Sequence, residues 1–329
     1  MSSNKRKLKY GLAINEALHQ KMAEDPSVFI IGQGLKSPWY VGMTAKDLLE
    51  TFGEHRVIDT PVSENTVTGA AVGAALSGMK SIVVHPRMDF MLYAIDPIVN
   101  QAANWYYMNG GNASVPCVIW GIVNRKGEQA AQHSQSLHTF FGHIPGLKVV
   151  MPSSAYDAKG LMISAIEDPN PVVFIDDRLL HGDEGDVPEE VYRVPIGKAA
   201  VAREGKDITV VAASHMTKLA LEAADALALS SSIEVEVIDI RTIKPLDTET
   251  ICKSVEKTGM AMVLDPGWKT YGMSAEIAAV IHEKLFNELK KPVKRIALPD
   301  VPAPASKTLE DAYYPSTADI VAAIEEMIG

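Results

Sequence analysis

Short, mostly apolar runs, bounded by turns and separated by helix-length segments, constrain this chain more than any other feature. Val28-Phe-Ile-Ile31, Ser81-Ile-Val-Val84, Cys117-Val-Ile-Trp120, Leu147-Lys-Val-Val-Met151 and Pro171-Val-Val-Phe-Ile175 are the clearest of them. Strands this short with little polar alternation belong in a parallel sheet covered on both faces by helices. Arg56-Val-Ile-Asp-Thr60 reads as a further strand. Tyr10 to Ala23 carries Leu12, Ile14, Ala17, Leu18 and Met22 at helical spacing and stops at Asp25-Pro26. Thr44 is placed to cap a helix through Phe52 that Gly53 ends. Phe90 to Asn109 reads as a long helix that begins or bends at Pro97, and Ser153 to Glu167 as another. Gly32-Gln-Gly34 lacks the third glycine of a dinucleotide fingerprint and reads as a turn.

The alternation breaks at His181-Gly-Asp-Glu-Gly-Asp-Val-Pro-Glu-Glu190, an acidic, turn-rich segment with the composition of a solvated linker. It then resumes. Ile208 to Ala212, Val235 to Asp239, Ala261 to Leu264 and Val293 to Ala297 read as strands. Helices are expected over His215 to Leu229, Thr248 to Thr258, Met273 to Leu289 and Asp319 to Ile328. The chain has 329 residues, too many for one ordinary core. The fold class is therefore α/β: two parallel-sheet, three-layer domains of unequal size, residues 1–183 and 198–329, with a linker at about 184–197.

Composition narrows the function. A net charge of −10 without a long basic arm argues against nucleic acid as a partner; Lys5, Arg6, Lys7 and Lys9 read as a small solvated start. No signal-peptide core and no unbroken apolar run of spanning length is present, which points to a cytoplasmic protein with no membrane partner. Cys117 and Cys252 are the only cysteines, too far apart in sequence to suggest a thiolate metal site and consistent with a reducing compartment.

The chemistry concentrates in Asp59-Thr-Pro-Val-Ser-Glu64-Asn-Thr-Val-Thr-Gly69-Ala-Ala-Val-Gly73-Ala-Ala-Leu-Ser-Gly78. Glu64 falls in the first turn of a helix, where the helix dipole alone favours a carboxylate by roughly 0.3–1 kcal/mol. Gly69, Ala70, Gly73, Ala74 and Gly78 then leave one face without bulk. Glycine costs helix stability, so the face suggests a close backbone contact, with Glu64 at its mouth. His133 lies in a polar loop after a strand, where α/β folds bind ligands, and titrates in a range useful to a donor or base. His138 and His143 follow at intervals of five, about 140° apart on a helix, so the three form no metal cluster. Ser63, Ser134 and Ser136 lack a nucleophile elbow, and residues 181–186 lack the spacing of a calcium loop. Asp89, Phe90, Tyr93, Trp105, Tyr106 and Tyr107 read as core and interface packing.

Several motifs together resemble the β subunit of the thiamine-diphosphate-dependent E1 component of 2-oxo acid dehydrogenases, of pyruvate or acetoin type. They are Asp59 to Glu64, the Gly69/Gly73 helix, Ala94-Ile-Asp96, Asn104 to Gly111, Ala130-Ala-Gln-His-Ser-Gln135 and Pro145 to Pro152. Asp157 to Leu161, Ser164 to Ile166, Pro171 to Val173, Asp239 to Leu246 and Leu298 to Pro302 extend the resemblance over nearly the whole chain. It implies a transketolase-like pyrimidine-binding domain followed by a transketolase C-terminal-like domain, acting in an α2β2 heterotetramer. The resemblance gives Glu64 a hydrogen bond to the cofactor pyrimidine, favouring the imino form of that ring; burial at the glycine-lined contact would keep the acid protonated. Val62, Phe90 and Tyr93 match positions around the aminopyrimidine, and His133 a histidine in substrate or lipoyl handling. Cys117, Ala165, Ile166, Asp168 and Asn170 match a potassium site of some members, although Asp168-Pro-Asn-Pro171 reads equally as a plain turn. No Gly-Asp-Gly…Asn-Asn pattern occurs, so Mg2+ and the diphosphate fall to an α subunit.

Three departures bear on the substrate and partners. Pro86-Arg87-Met88-Asp89-Phe90 and Tyr93 replace a Phe-Met-Thr-Phe-like run and a glutamine, and Arg125-Lys126 sit where a small glycine-rich loop is usual. Arg87, Arg125 and Lys126 would suit a carboxylate or phosphate, or simply pair with Asp89 and Glu128. Lys290-Lys291 replace an acid in the region that meets an E2 acyltransferase core, which turns attraction into repulsion. The expected function is a 2-oxo acid E1 β subunit acting on a substrate such as pyruvate. The alternatives are a lipoyl-independent, transketolase-like acyl or ketol transferase and a noncatalytic scaffold subunit.

Overall fold

The computed structural model describes residues 6–37 and 41–329; Lys5 lies outside them. The chain divides into two compact units, residues 1–125 with 140–196 and residues 126–139 with 197–329. Within the first, β2 (Val28–Gln33), β3 (Val57–Thr60), β4 (Lys80–His85), β5 (Cys117–Val123), β6 (Lys148–Val150) and β7 (Val172–Asp177) form a parallel sheet in the order β6-β7-β5-β4-β2-β3. β2, β5 and β7 are buried almost throughout, as apolar strands covered on both sides must be. Tyr10–Glu24 and Ala155–Glu167 pack with one another over this sheet and bury Ile14, Leu18, Leu161 and Ile163 in its main core.

In the second unit β9 (Ala200–Arg203), β10 (Ile208–Ala212), β11 (Val235–Asp239), β13 (Ala261–Trp268) and β14 (Lys294–Leu298) form a sheet in the order β14-β13-β10-β11-β9; β12 is the short Thr242–Lys244. All pairings are parallel except β9 on β11, an antiparallel edge the sequence pattern does not reveal. Ile320, Ile324 and Met327 of the closing helix complete its core with Ala220, Ala224 and Leu227.

Several expectations need correction. β2 runs through Gly32 to Gln33, so Gly32 is a strand residue; a Cβ there would stand 2.5 Å from Val84 O on the neighbouring strand. Thr44 does not cap the following helix. Its hydroxyl donates to Val41 O at 2.5 Å within a short 3-10 turn, and the helix is only Leu48–Phe52. The Phe90–Asn109 helix is three segments: a 3-10 run Met88–Ala94, a π segment Asp96–Ala102 with Pro97 in its first turn, and an α-helix Ala103–Met108. Proline bends the run as expected, by local rewinding.

The basic start and the acidic linker are not simply solvated. β1 (Lys7–Lys9) pairs antiparallel with β8 (Glu184–Asp186), and Lys7 Nζ lies 3.2 Å from Asp186. Arg6 donates to both oxygens of Glu16 at 2.8 and 2.7 Å. Lys159, fully buried on its helix, donates to Glu16 at 2.5 Å and to the carbonyls of Pro188, Glu189 and Glu190 at 2.7–3.0 Å. A buried ammonium is tolerable only when its donors are satisfied, and here the linker backbone satisfies them.

Candidate active site

The carboxyl ends of β2, β3, β4, β5 and β7 form one edge of the first sheet, the side on which open α/β sheets bind ligands. Asp59 joins two of them: its Oδ1 accepts from Gly34 N at 2.7 Å and Leu35 N at 3.1 Å. That pins the turn leading through exposed Val62 into the Glu64–Leu76 helix, whose first residue is Glu64. The Glu64 side chain is half-buried and has no hydrogen-bond or ion-pair partner among the described residues.

Beyond Glu64 the helix is two-faced. Thr68, Ala71, Val72 and Ala75 are buried, while Gly69, Ala70 and Gly73 face outward. A Cβ at Gly69 or Gly73 would meet nothing within 4 Å. The close backbone contact these glycines permit is therefore not made inside their own unit, and the burial expected for Glu64 is not supplied there. Asn65 Nδ2 donates to Tyr93 O at 3.4 Å, which places the 88–94 turn beside the acid. Phe90 is half-buried and Tyr93 71% exposed. Leu92, Tyr106, Tyr107 and Met108 are exposed too, so the aromatic run is core only in part. Exposed apolar side chains grouped on one helical run are what an interaction surface presents.

A residue that sequence reasoning passed over braces this helix. His85, the last residue of β4, is fully buried with Nε2 3.2 Å from Thr68 Oγ1, one turn beyond Glu64. Burial pushes its pKa down to about 4 from 6.5, so the ring is neutral at pH 7. The unfolded chain then binds a proton before the folded one as pH falls, so stability is full above pH 6.5 and is lost toward pH 4. By pH 5 the loss is about 2 kcal/mol. Denaturant midpoints at pH 7 and pH 5 should draw apart by that much in the wild type and by less in His85→Gln; equal separations in the two proteins refute the assignment.

The Arg125 Nε is 2.8 Å from Asp177 Oδ2, and both side chains are buried. This pair ties the segment just beyond β5 to the end of β7. Arg87 Nη1 donates to Pro86 O at 2.8 Å and is half-buried, and Lys126 is exposed.

Of the residues matched to a cation, Ala165 and Ile166 are buried at the end of the Ala155–Glu167 helix and Asp168 is its C-cap. The Asp168 carboxylate is held by Lys148 Nζ at 2.7 and 2.5 Å and by Asn170 N at 2.9 Å. Burial raises the Cys117 thiol to about 11, so it is a neutral thiol. Carbonyl oxygens are what this segment has left for a hard cation. Among the described residues no three His, Cys, Asp or Glu side chains group as metal ligands.

In the second unit, the segment 126–139 carries His133, which is half-buried. Lys126, Gly127, Glu128 and Ala130 all have left-handed backbone, with φ of 63°, 71°, 61° and 59°. For the three that are not glycine this costs roughly 1–2 kcal/mol each. One backbone amide of this turn is held by a carboxylate. Glu310, itself buried, accepts from Glu128 N at 3.1 and 3.3 Å.

His138 is not an ordinary loop histidine. It is fully buried, with Nε2 3.1 Å from Asp265 Oδ1 and Nδ1 3.0 Å from Ser136 Oγ. Asp265 also accepts from Gly267 N at 2.9 Å and Ser274 N at 2.8 Å. Burial pushes this carboxyl up, but His138 and the two amides outweigh it and hold it below the usual range, ionised. An acid ending the apolar run Ala261-Met-Val-Leu264 was the available sequence signal; its partner 127 residues away was not.

Comparison with known proteins bears on the whole chain. Residues 6–182 match the transketolase pyrimidine-binding domain and residues 197–320 the transketolase C-terminal domain. Acetoin:2,6-dichlorophenolindophenol oxidoreductase subunit beta of Cupriavidus necator is 45% identical over 97% of this chain and 96% of its own length. The chain belongs to the transketolase-like family of E1 β subunits. Pyruvate dehydrogenase E1 component subunit beta of Rickettsia felis is 42% identical, covering 96% of each chain, and the mitochondrial counterpart of Saccharomyces cerevisiae is 41% identical over 96% of this one. A solved split-gene transketolase, described as an inactive beta4 tetramer, superposes with a TM-score of 0.79 over 97% of each chain at 22% identity, a likeness of fold. This E1 β-family chain contains among its described residues no helix long and apolar enough to cross a membrane.

Proposed function

We propose that this chain is the β-type subunit of a heteromeric, cytoplasmic thiamine-diphosphate enzyme, the E1 component that decarboxylates a 2-oxo acid such as pyruvate and passes the acyl group to an acceptor. The observation that carries the reading is the Glu64 carboxylate, unpartnered in the first turn of a helix whose small-residue face lies uncovered. A carboxyl in that setting fits the ring nitrogen of an aminopyrimidine. A chain that buried the face itself would leave no room for a second surface.

When bound, thiamine diphosphate supplies the carbanion and electron-sink chemistry. Glu64 donates a hydrogen bond to its pyrimidine ring, and Val62, Phe90 and Tyr93 border that ring. The partner α subunit covers the Gly69–Gly73 face and dries the acid, which favours its protonated, donating form. His133 works at the reacting end, as donor to the substrate or to the incoming acceptor. Mg2+ and the diphosphate are held by the α subunit, and a potassium ion, where bound, takes carbonyl oxygens of the 165–170 segment.

Docking to an E2 core is a finer question. Lys290 does not project freely: its Nζ donates to Thr258 O at 2.8 Å and stabilises the end of the Thr248–Thr258 helix. Repulsion toward a basic E2 domain then rests on Lys291. The test of the reading is product analysis of the chain with its α subunit, thiamine diphosphate and pyruvate. Carbon dioxide release with acyl transfer to lipoamide is expected. Transfer that ignores lipoamide and uses an aldehyde or sugar acceptor selects the transferase alternative, and no turnover with any 2-oxo acid selects the scaffold.

A further inference from the structure

The segment 126–139 reaches the second unit through two acids, one on each side of His133. Glu128 and His138 lie five residues before and after that histidine. At Glu128 the tether is the Glu310 carboxylate, which receives the amide at 3.1 and 3.3 Å. At His138 it is Asp265, at 3.1 Å from Nε2. Both acids are buried in single-chain packing, Glu310 at 2% and Asp265 at 0% exposure. Neither position belongs to the resemblance motifs, and neither acid touches His133 in any contact described above.

The two tethers do different physical work. The turn at 126–130 places three residues other than glycine in the left-handed region, a conformation that persists only where its surroundings over-determine it. Glu310 is the buried side chain that holds this turn, through the amide of Glu128. At the other end the packing is close enough to exclude a side chain: a Cβ on Gly267 would stand 2.8 Å from His138 Cε1, and one on Gly272 2.5 Å from Asp265 Oδ2. Asp265 is fixed in turn by the amides of Gly267 and Ser274. Only the stretch between the tethers, which carries His133, has a half-exposed side chain at its centre.

We infer that Glu310, and the Asp265–His138 pair, are positioning residues for His133: the C-terminal unit, through two buried acids, sets the conformation of the segment that handles the acceptor. The inference rests on the proposed role of His133, but its structural half does not. With a tether lost, the segment opens, His133 leaves its working position, and the acceptor step slows while cofactor binding at Glu64 is untouched. A displacement on the order of 1 Å in such a group lowers turnover by up to about a hundredfold.

The experiment uses the complete αβ enzyme carrying Glu310→Ala, Glu310→Gln or His138→Gln in this chain. Limited trypsin digestion reads opening of the segment through cleavage after Lys126, since cleavage follows the population of the open form. Glu310→Ala should be cut there at least about tenfold faster than the wild type. Its turnover should fall by roughly ten- to a hundredfold, with thiamine diphosphate affinity unchanged. Glu310→Gln keeps an acceptor oxygen and should recover much of both readouts. His138→Gln, which tests the second tether independently, should also cut faster and turn over more slowly. Wild-type cleavage and wild-type turnover in Glu310→Ala overturn the inference, as does a loss of cofactor affinity in step with turnover. Faster cleavage in an enzyme that acts on no 2-oxo acid retains the tether and refutes the proposed function instead.

Discussion

Glu64→Gln should lower turnover of the reconstituted enzyme by about a hundredfold or more, the usual worth of a positioned proton donor or acceptor, while the chain folds and assembles as before. The substitution keeps size and position in the first turn. What changes is the group: a glutamine cannot yield or retake a proton, and its amide can present nitrogen where the acid presented oxygen. The wild-type carboxylate has no partner among the described residues to lose, and a substitution that keeps size at a half-buried helix start alters stability by about 1 kcal/mol or less. A large loss of turnover at unchanged stability therefore separates chemistry from structure at this position. Turnover within a few-fold of wild type would leave Glu64 as an ordinary helix-start acid.

Much of the architecture is legible in the sequence because parallel strands leave a strong trace. Runs such as Val28 to Ile31 and Val172 to Ile175 are apolar on both faces and have few other destinations. The Glu64 helix was equally legible, since two glycines four residues apart in a short helix require a reason. What did not show was anything depending on partners distant in sequence. Lys7–Lys9 and Glu184–Asp186 look like solvated charge until they pair as β1 and β8. Lys159 looks like a surface lysine in Asp157-Ala-Lys-Gly-Leu until the linker carbonyls surround its ammonium. His138 and Asp265 are each unremarkable singly; only folding sets them 3.1 Å apart. Local geometry misled elsewhere: Thr44 has the chemistry of a cap but bonds backward to Val41.

The site divides along the same line. Val62 and Glu64 lie on the turn after β3 and Phe90 and Tyr93 on the run after β4, the two strands that flank β2. The burial of Glu64 was the expectation that its own unit did not meet. The Glu64 side chain is half-buried at the start of its helix. The aromatic residues from Tyr93 to Tyr107 were read as packing. Their composition is that of a core, yet Tyr93, Tyr106 and Tyr107 are exposed.

The second large effect follows from that division. On the proposed reading this chain supplies the acid that meets the pyrimidine and an uncovered helix face, while its sequence has no Gly-Asp-Gly…Asn-Asn pattern, so cofactor binding should require two polypeptides. Titration calorimetry with thiamine diphosphate and Mg2+ tests this directly, on the chain alone, on its α subunit alone and on the equimolar mixture. We expect no saturable binding to the isolated chain and stoichiometric, tight binding to the mixture, with the heat lost again when the α subunit is omitted. Saturable binding to the isolated chain with the affinity of the mixture would contradict the account, because the site would then be complete without a second surface against Gly69 and Gly73.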